Sequence, residues 1–201
     1  MNIIIKSEID KIRATISAAS NLSDDFLFTV VCHKFMNCDG KLDDEDFEDT
    51  YVDGAGDGGI DLIFCDHDSE DEKLVLMQGK NTGLGTSKDV VQLFQKIALT
   101  IKDFEEGKLS NYSHKVKKVY TNSYESMPEG FNINMILYTT DNLSSDKRED
   151  IKNEINKNKD LEIYDPIVFY EEDIVKRISE LNDPKQYVDY DKLFESALQK
   201  K

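Results

Sequence analysis

Asp61 stands at the start of one short apolar run, "IDLIFCD" (60 to 66), and Gln78, Gly79 and Lys80 stand at the end of the next, "KLVLMQGK" (73 to 80). The charged connector "HDSEDE" between them marks the two runs as strands of a hairpin. In an antiparallel hairpin the start of one strand lies beside the end of the other, which brings Asp61 to Gln78. Residues two apart on a strand share a face, so Lys80 points the same way as Gln78. A carboxylate, an amide carbonyl oxygen and an ammonium therefore converge. Such oxygens suit Mg²⁺, which takes few protein ligands and keeps several waters. Hydrolysis of a phosphodiester requires this kind of set: a metal ion to polarise the phosphoryl group and activate water, and a fixed cation to stabilise the developing charge. Glycines 54, 56, 58 and 59, just upstream of Asp61, let the backbone turn sharply and leave space for a bulky substrate.

The elements that must position these residues follow from periodicity. Ile5, Ile9, Ile12 and Ile16 recur at three- and four-residue steps and describe an amphipathic first helix within residues 1 to 22. Ser23 can cap a second helix, "DDFLFTVVCHKFM" (24 to 36), whose apolar side chains cover most of its circumference and so imply burial. Residues 39 to 59, acidic and glycine-rich, read as a long exposed loop. Ser87 can cap a helix carrying Val90, Val91, Phe94, Ile97, Ile101 and Phe104 on one face. "KVKKVYT" (115 to 121), "INMILYTT" (133 to 140) and "DPIVFYEED" (165 to 173) read as three further strands, with helices at 144 to 158 and 171 to 181. Helices alternating with strands predict an α/β fold, a mixed central sheet with helices on both faces. The stretch 183 to 201 reads either as a helix docked on the body or as the start of a further domain in a longer protein.

The chain has 201 residues, enough for one domain with a sizeable core, and a formal charge of −16 from 41 acidic and 25 basic residues. Such a surface repels polyanions unless cations are concentrated locally. Only Arg13, Arg148 and Arg177 are arginines, so net charge does not grip nucleic acid. "MNIIIKSEIDKIR" is too quickly charged for a signal peptide and no run is long enough for a membrane span, which predicts a cytoplasmic protein with no membrane partner. Cys32, Cys38 and Cys65 are odd in number and lack metal-ligand spacing, which reads as reduced structural thiols.

"YVDGAGDGGIDLI" followed across a hairpin by "LMQGK" resembles the PD-(D/E)XK nuclease superfamily, in the Mrr-like variant where glutamine replaces the second acid. With "ILYTTDNLSS" and "DPIVFYEEDIVKRI" added, residues 24 to 180 look like the N-terminal region of AIPR-type abortive-infection phage-resistance proteins. The resemblance implies a restriction-endonuclease-like core over residues 23 to 182. It also implies a Mg²⁺-dependent endonuclease, with Mn²⁺ as substitute, that cleaves DNA in phage defence. Carried over residue by residue, Asp61 matches the metal-binding aspartate, Gln78 the second ligand position, Gly79 the residue whose carbonyl completes the site, and Lys80 the catalytic lysine. Asp57 matches the first aspartate of the glycine-rich motif. One position departs from the pattern: relatives often place an acid after a phenylalanine in the preceding helix, whereas Leu27 follows Phe26 here, and the nearest acids are Asp24 and Asp25.

Other patterns fail on spacing. A calcium loop with Gly40 at its sixth position has Phe35 at its first, and the frame on Gly58 has Ala55 at its third and Phe64 at its twelfth. "GKNTGLGTSK" lacks a P-loop's leading glycine, because Leu74 occupies that place. His33, His67 and His114 are scattered and read as core or surface residues. Lys88 and Gln92 share a face at the start of their helix and are candidates for touching a phosphate. The acids of 39 to 49 are expected away from the cleft, with Lys80, Lys88, Lys115, Lys117 and Lys118 along its approach. Binding by this chain alone is then expected near 10⁻⁴ to 10⁻⁶ M, roughly the non-specific range, unless a homodimer or a further domain contributes. Charge and Leu27 support a second reading, a catalytically weak or inactive module that binds a protein or nucleic acid partner. RNA stays open as substrate, because nothing in the chain reads bases or a 2′-hydroxyl.

Overall fold

The computed structural model describes residues 1 to 52, 54 to 67 and 71 to 182. The stretch 183 to 201, read above as a docked helix or the start of another domain, lies outside the described residues. In chain order the elements are α1 (Ile3–Thr15), α2 (Asp24–Met36), α3 (Asp44–Thr50), β1 (Leu62–Asp66), β2 (Lys73–Lys80), α4 (Ser87–Glu105), α5 (His114–Ser126), β3 (Asn132–Thr139), α6 (Ser145–Asn156), α7 (Lys159–Glu162), β4 (Ile167–Phe169) and α8 (Glu171–Asn182). The four strands form one sheet in the order β1-β2-β3-β4. The β1–β2 pair is antiparallel, as the hairpin pattern requires, and the other two pairs are parallel. The fold is thus mixed α/β with helices on both faces.

Alternation along the strands sorts the core into two layers. Ile63, Leu74 and Leu76 pack with Val90, Phe94, Ile97 and Ile101 of α4, and with Val116, Val119 and Tyr120 of α5. Leu62, Val75 and Met77 face the other way, onto Leu27, Phe28 and Val31 of α2, with α1 and α8 behind them. Helix α2 is buried on nearly every side, as its circumferential apolarity requires, and the Ser23 side chain caps it by accepting from the Phe26 amide. No helix among the described residues is long and apolar enough to cross a membrane.

Three local expectations are corrected. Residues 115 to 121 are not a strand but part of α5, where Ser113 caps the helix and Val116, Val119 and Tyr120 are buried at three- and four-residue spacing. The acidic loop contains α3, whose N-terminus is satisfied by Asp43 accepting from the Glu45 and Asp46 amides. Asp44, Glu45 and Asp46 fill its first turn, where the helix dipole favours negative charge, and Phe47 anchors it in the core. The cap of α4 is Thr86 rather than Ser87, because Asp89 sits three residues on and completes a reciprocal capping box.

Candidate active site

The last pair of the hairpin is Leu62 with Met77, and the ladder does not continue to a pair of Asp61 with Gln78. Residue 61 is a bend rather than strand, and its amide donates to the Met77 carbonyl at 2.8 Å. Freed from strand geometry, its carboxylate turns back along the sheet. Oδ2 accepts from the Gly79 amide at 2.7 Å and from the Thr29 hydroxyl at 3.0 Å. The Gly79 amide belongs to the peptide that joins Gln78 to Gly79, so the carboxylate lies against the middle of the Gln78-Gly79-Lys80 trio. It stands where a neighbouring strand's carbonyl would otherwise meet that N–H. Asp61 is only 8 % exposed, and two donors on one oxygen fix the orientation of its carboxylate.

Gly79 is required by packing. A methyl group on its α-carbon would overlap the Thr29 hydroxyl and stand 3.2 Å from a Phe28 ring carbon. Only glycine lets α2 approach the strand closely enough for Thr29 to reach Asp61. Upstream, Gly58 adopts φ +70° and accepts a 2.8 Å hydrogen bond from Thr100 of α4, again at a point where a methyl group would collide. The glycine-rich loop is thus seated on α4, and this seating delivers the chain to Asp61.

Gln78 is 6 % exposed, and among the described residues its Oε1 is buried without a hydrogen-bond partner. An unsatisfied buried carbonyl oxygen costs about 1–3 kcal/mol, and this one keeps its full capacity to accept a hydrogen bond or meet a cation. By alternation Gln78 and Lys80 share the α4 face of the sheet, while Gly79 faces α2. Lys80 is half-buried at the strand's end.

The supporting acids separate by geometry. Asp24 turns away, its Oδ1 2.6 Å from Arg13 of α1. Asp25 turns toward the site's end of β2 and accepts from the side chain of Asn81, the residue after Lys80, at 3.0 Å. It lies one helical turn before Thr29, on the same stripe of α2. Asp57 serves its own turn, accepting from the Gly59 amide at 2.6 Å with Lys96 at 3.7 Å. Leu27, where the resemblance expects an acid, is fully buried in the apolar core.

The cations are spread more widely than expected. Lys88 and Gln92 are exposed on α4. The carboxyl of Glu154 on α6 is held below its ordinary range by its hydrogen bond to Lys157 and the charge of Lys157, and in smaller part by Lys88, which places Lys88 on the α6 side. Lys115 lies over the Tyr51 ring, and with Lys118 it shares a cavity of about 370 Å³ with Glu48 and Asp49 of α3. The acids of α3 therefore stand against these lysines and offset their charge. Sequence reasoning missed two residues here. Thr29 was signalled only as the one hydroxyl within "FLFTVVC", and Lys96, whose stem packs on Gly59, only by its place one turn after Gln92.

A second polar cluster lies one further turn along α2. His33 Nε2 is 3.3 Å from Cys38 Sγ, and its Nδ1 is 3.4 Å from Asn37, whose amide also donates to Tyr138. Burial drives the His33 pKa down to about 4. Burial, helped by Asp46 and Asp39, pushes the Cys38 thiol up to about 12. Both groups are neutral at pH 7, so the pair is not an activated thiolate.

Among the described residues no three His, Cys, Asp or Glu side chains converge as a cation site. Asp61 and Gln78 would have to work with backbone oxygen and solvent, a donor set that suits Mg²⁺. Comparison of the chain with family models, with curated proteins and with solved structures gives no match.

Proposed function

We propose that this protein is a Mg²⁺-dependent endonuclease acting on DNA, with a restriction-endonuclease-like core, and that it serves in phage defence as its motif resemblance implies. The observation that carries the reading is that one end of β2 holds both a buried, partnerless Gln78 oxygen and, bonded to the amide of the next residue, the oriented Asp61 carboxylate. The Asp61 carboxylate, Gln78 and the Gly79 carbonyl would hold the ion, and Asp25 is the acid of α2 turned toward that end of β2. When bound, magnesium supplies phosphoryl polarisation and a more acidic water. The chain's own residues do the rest. Thr29 and the Gly79 amide hold the Asp61 carboxylate in one orientation, and Lys80 presents an ammonium to the charge that develops on the phosphate or orients the attacking water. The glycine loop, seated on α4 through Gly58, fixes where the chain enters Asp61.

The second reading, a catalytically weak module on the same fold that binds a protein or nucleic acid partner, is favoured by the burial of Leu27 and by the engagement of Asp24 with Arg13. Plasmid nicking separates the two. Wild type with Mg²⁺ or Mn²⁺ should relax supercoiled DNA, and Lys80→Ala should lose about 100-fold or more. Absence of nicking by wild type, or equal nicking by Lys80→Ala, would overturn the nuclease reading. A parallel single-stranded RNA substrate tests the choice of DNA.

A further inference from the structure

Where the C-terminal end of α4 meets α5 lies a cavity of about 360 Å³ that the proposed reaction does not use. Phe104, Leu109, Tyr120 and Tyr124 supply its apolar walls, and Glu105 and Glu125 supply two carboxylates. The rings are mutually ordered. Phe104 and Tyr120 have centroids 4.2 Å apart, Tyr124 lies 6.0 Å from Tyr120 with planes 18° apart, and Phe131 meets the Tyr124 edge at 5.1 Å. Such walls present negative π-faces, which attract cations. No lysine or arginine lines the cavity, and neither glutamate forms an ion pair among the described residues.

Tyr120 gives an independent sign of a missing partner. It is 3 % exposed, and its hydroxyl oxygen is buried with no hydrogen-bond partner among the described residues. Burial, and next the nearby Glu105 charge, raise its pKa, so the hydroxyl stays neutral and can accept a hydrogen bond. A cation bearing N–H groups would meet the π-faces and the uncompensated carboxylates at once, and a small turn of the Tyr120 ring would bring it the unmatched acceptor as well. A neutral apolar ligand would leave both carboxylates unanswered, and an anion would be repelled. The volume is at the small end of the range for small-molecule sites.

We propose that this cavity binds a small organic amine, an alkylammonium whose methylenes lie on the Phe104, Tyr120 and Tyr124 rings and whose N–H groups meet Glu105, Glu125 and the Tyr120 hydroxyl. The chain's charge of −16 raises the local concentration of such a cation. The site is separate from the Asp61 cluster, and the proposal stands whether or not the chain cleaves DNA.

The test is a ¹H–¹⁵N titration of the full chain with 1,4-diaminobutane, with butane-1,4-diol as the neutral control. Saturable shifts confined to the ends of α4 and α5 are expected, weakened about tenfold or more in Glu105→Gln/Glu125→Gln and severalfold in Tyr124→Ala. All three side chains are exposed, Tyr124 at 42 %, so these variants should fold, which circular dichroism checks. Equal binding of the diol, undiminished binding by the double glutamine variant, or no saturation by about 10 mM diamine would each overturn the proposal. Binding of an arginine-containing peptide in place of the diamine would also overturn it, by assigning the cavity to a protein partner.

Discussion

Two polar clusters lie one turn apart on α2, and they have opposite characters. At Thr29 the helix meets Asp61 and Gly79, at the end of β2 where the strand leaves the core, with the partnerless Gln78 oxygen on the opposite, α4 face of that strand. At His33 it meets Cys38 and Asn37, and Asn37 continues to Tyr138. The second cluster holds a thiol and an imidazole, the residue types of a nucleophilic pair, yet burial neutralises both. The first carries a buried carboxylate with two oriented donors and an amide oxygen left over. Residue type alone would rank the two similarly. Burial and unmet hydrogen-bonding capacity separate them, and they are the grounds on which the proposed chemistry is put at the sheet end.

The comparison breaks first at Asp61. Asp61→Asn should lower DNA nicking by about 100-fold or more, while His33→Gln should leave it within a few-fold, as measured by single-turnover relaxation of plasmid. Equal losses would erase the distinction between the clusters. Next in size is the packing that supports the first cluster. Gly79→Ala should destabilise the fold by about 1–3 kcal/mol in urea unfolding, because the new methyl meets Thr29 and Phe28 on a buried helix. Adding Thr29→Ala should recover part of that loss, and strict additivity would show that the two sites do not touch.

A smaller effect belongs to the second cluster. His33 has a folded pKa near 4 against an ordinary 6.5, so the unfolded chain binds its proton more readily. Stability from this group is full above about pH 6.5 and falls by up to about 1.4 kcal/mol per pH unit as pH drops toward 4. His33→Gln should flatten that part of the pH profile, and an unchanged slope would refute the assignment. Smallest is Lys96→Met, expected to weaken DNA binding only about threefold, because Lys96 is exposed and already beside Asp57.

Much of this arrangement was legible in the sequence. The buried α2 followed from its circumferential apolarity, and the antiparallel pairing of β1 with β2 followed from two short runs with a charged connector. Other features were not legible, for physical reasons. "KVKKVYT" places valines where either a strand or a helix could use them, and the cap at Ser113 decided for α5. The run Asp43 to Asp49 reads as solvated loop until Asp43 caps it and Phe47 finds the core. Thr29 could not be singled out, because a threonine in an apolar helix usually bonds its own backbone. Its role depends on the collision that excludes a side chain at Gly79, which is a property of the packed layers. Likewise Asp24 and Asp25 are equivalent as letters, and only the positions of Arg13 and Asn81 distinguish them.

The central claim is that Asp61 and Gln78 form one cation site, and titration calorimetry with Mn²⁺ tests it most directly. Wild type should bind a single ion, Asp61→Asn should abolish that binding, and so should Gln78→Met, which removes the partnerless oxygen at similar volume. Because that oxygen is costly when unmet, Gln78→Met should also unfold at equal or higher urea concentration than wild type, so its loss of binding cannot be put down to misfolding. Mn²⁺ binding identical in wild type and both variants would contradict the account.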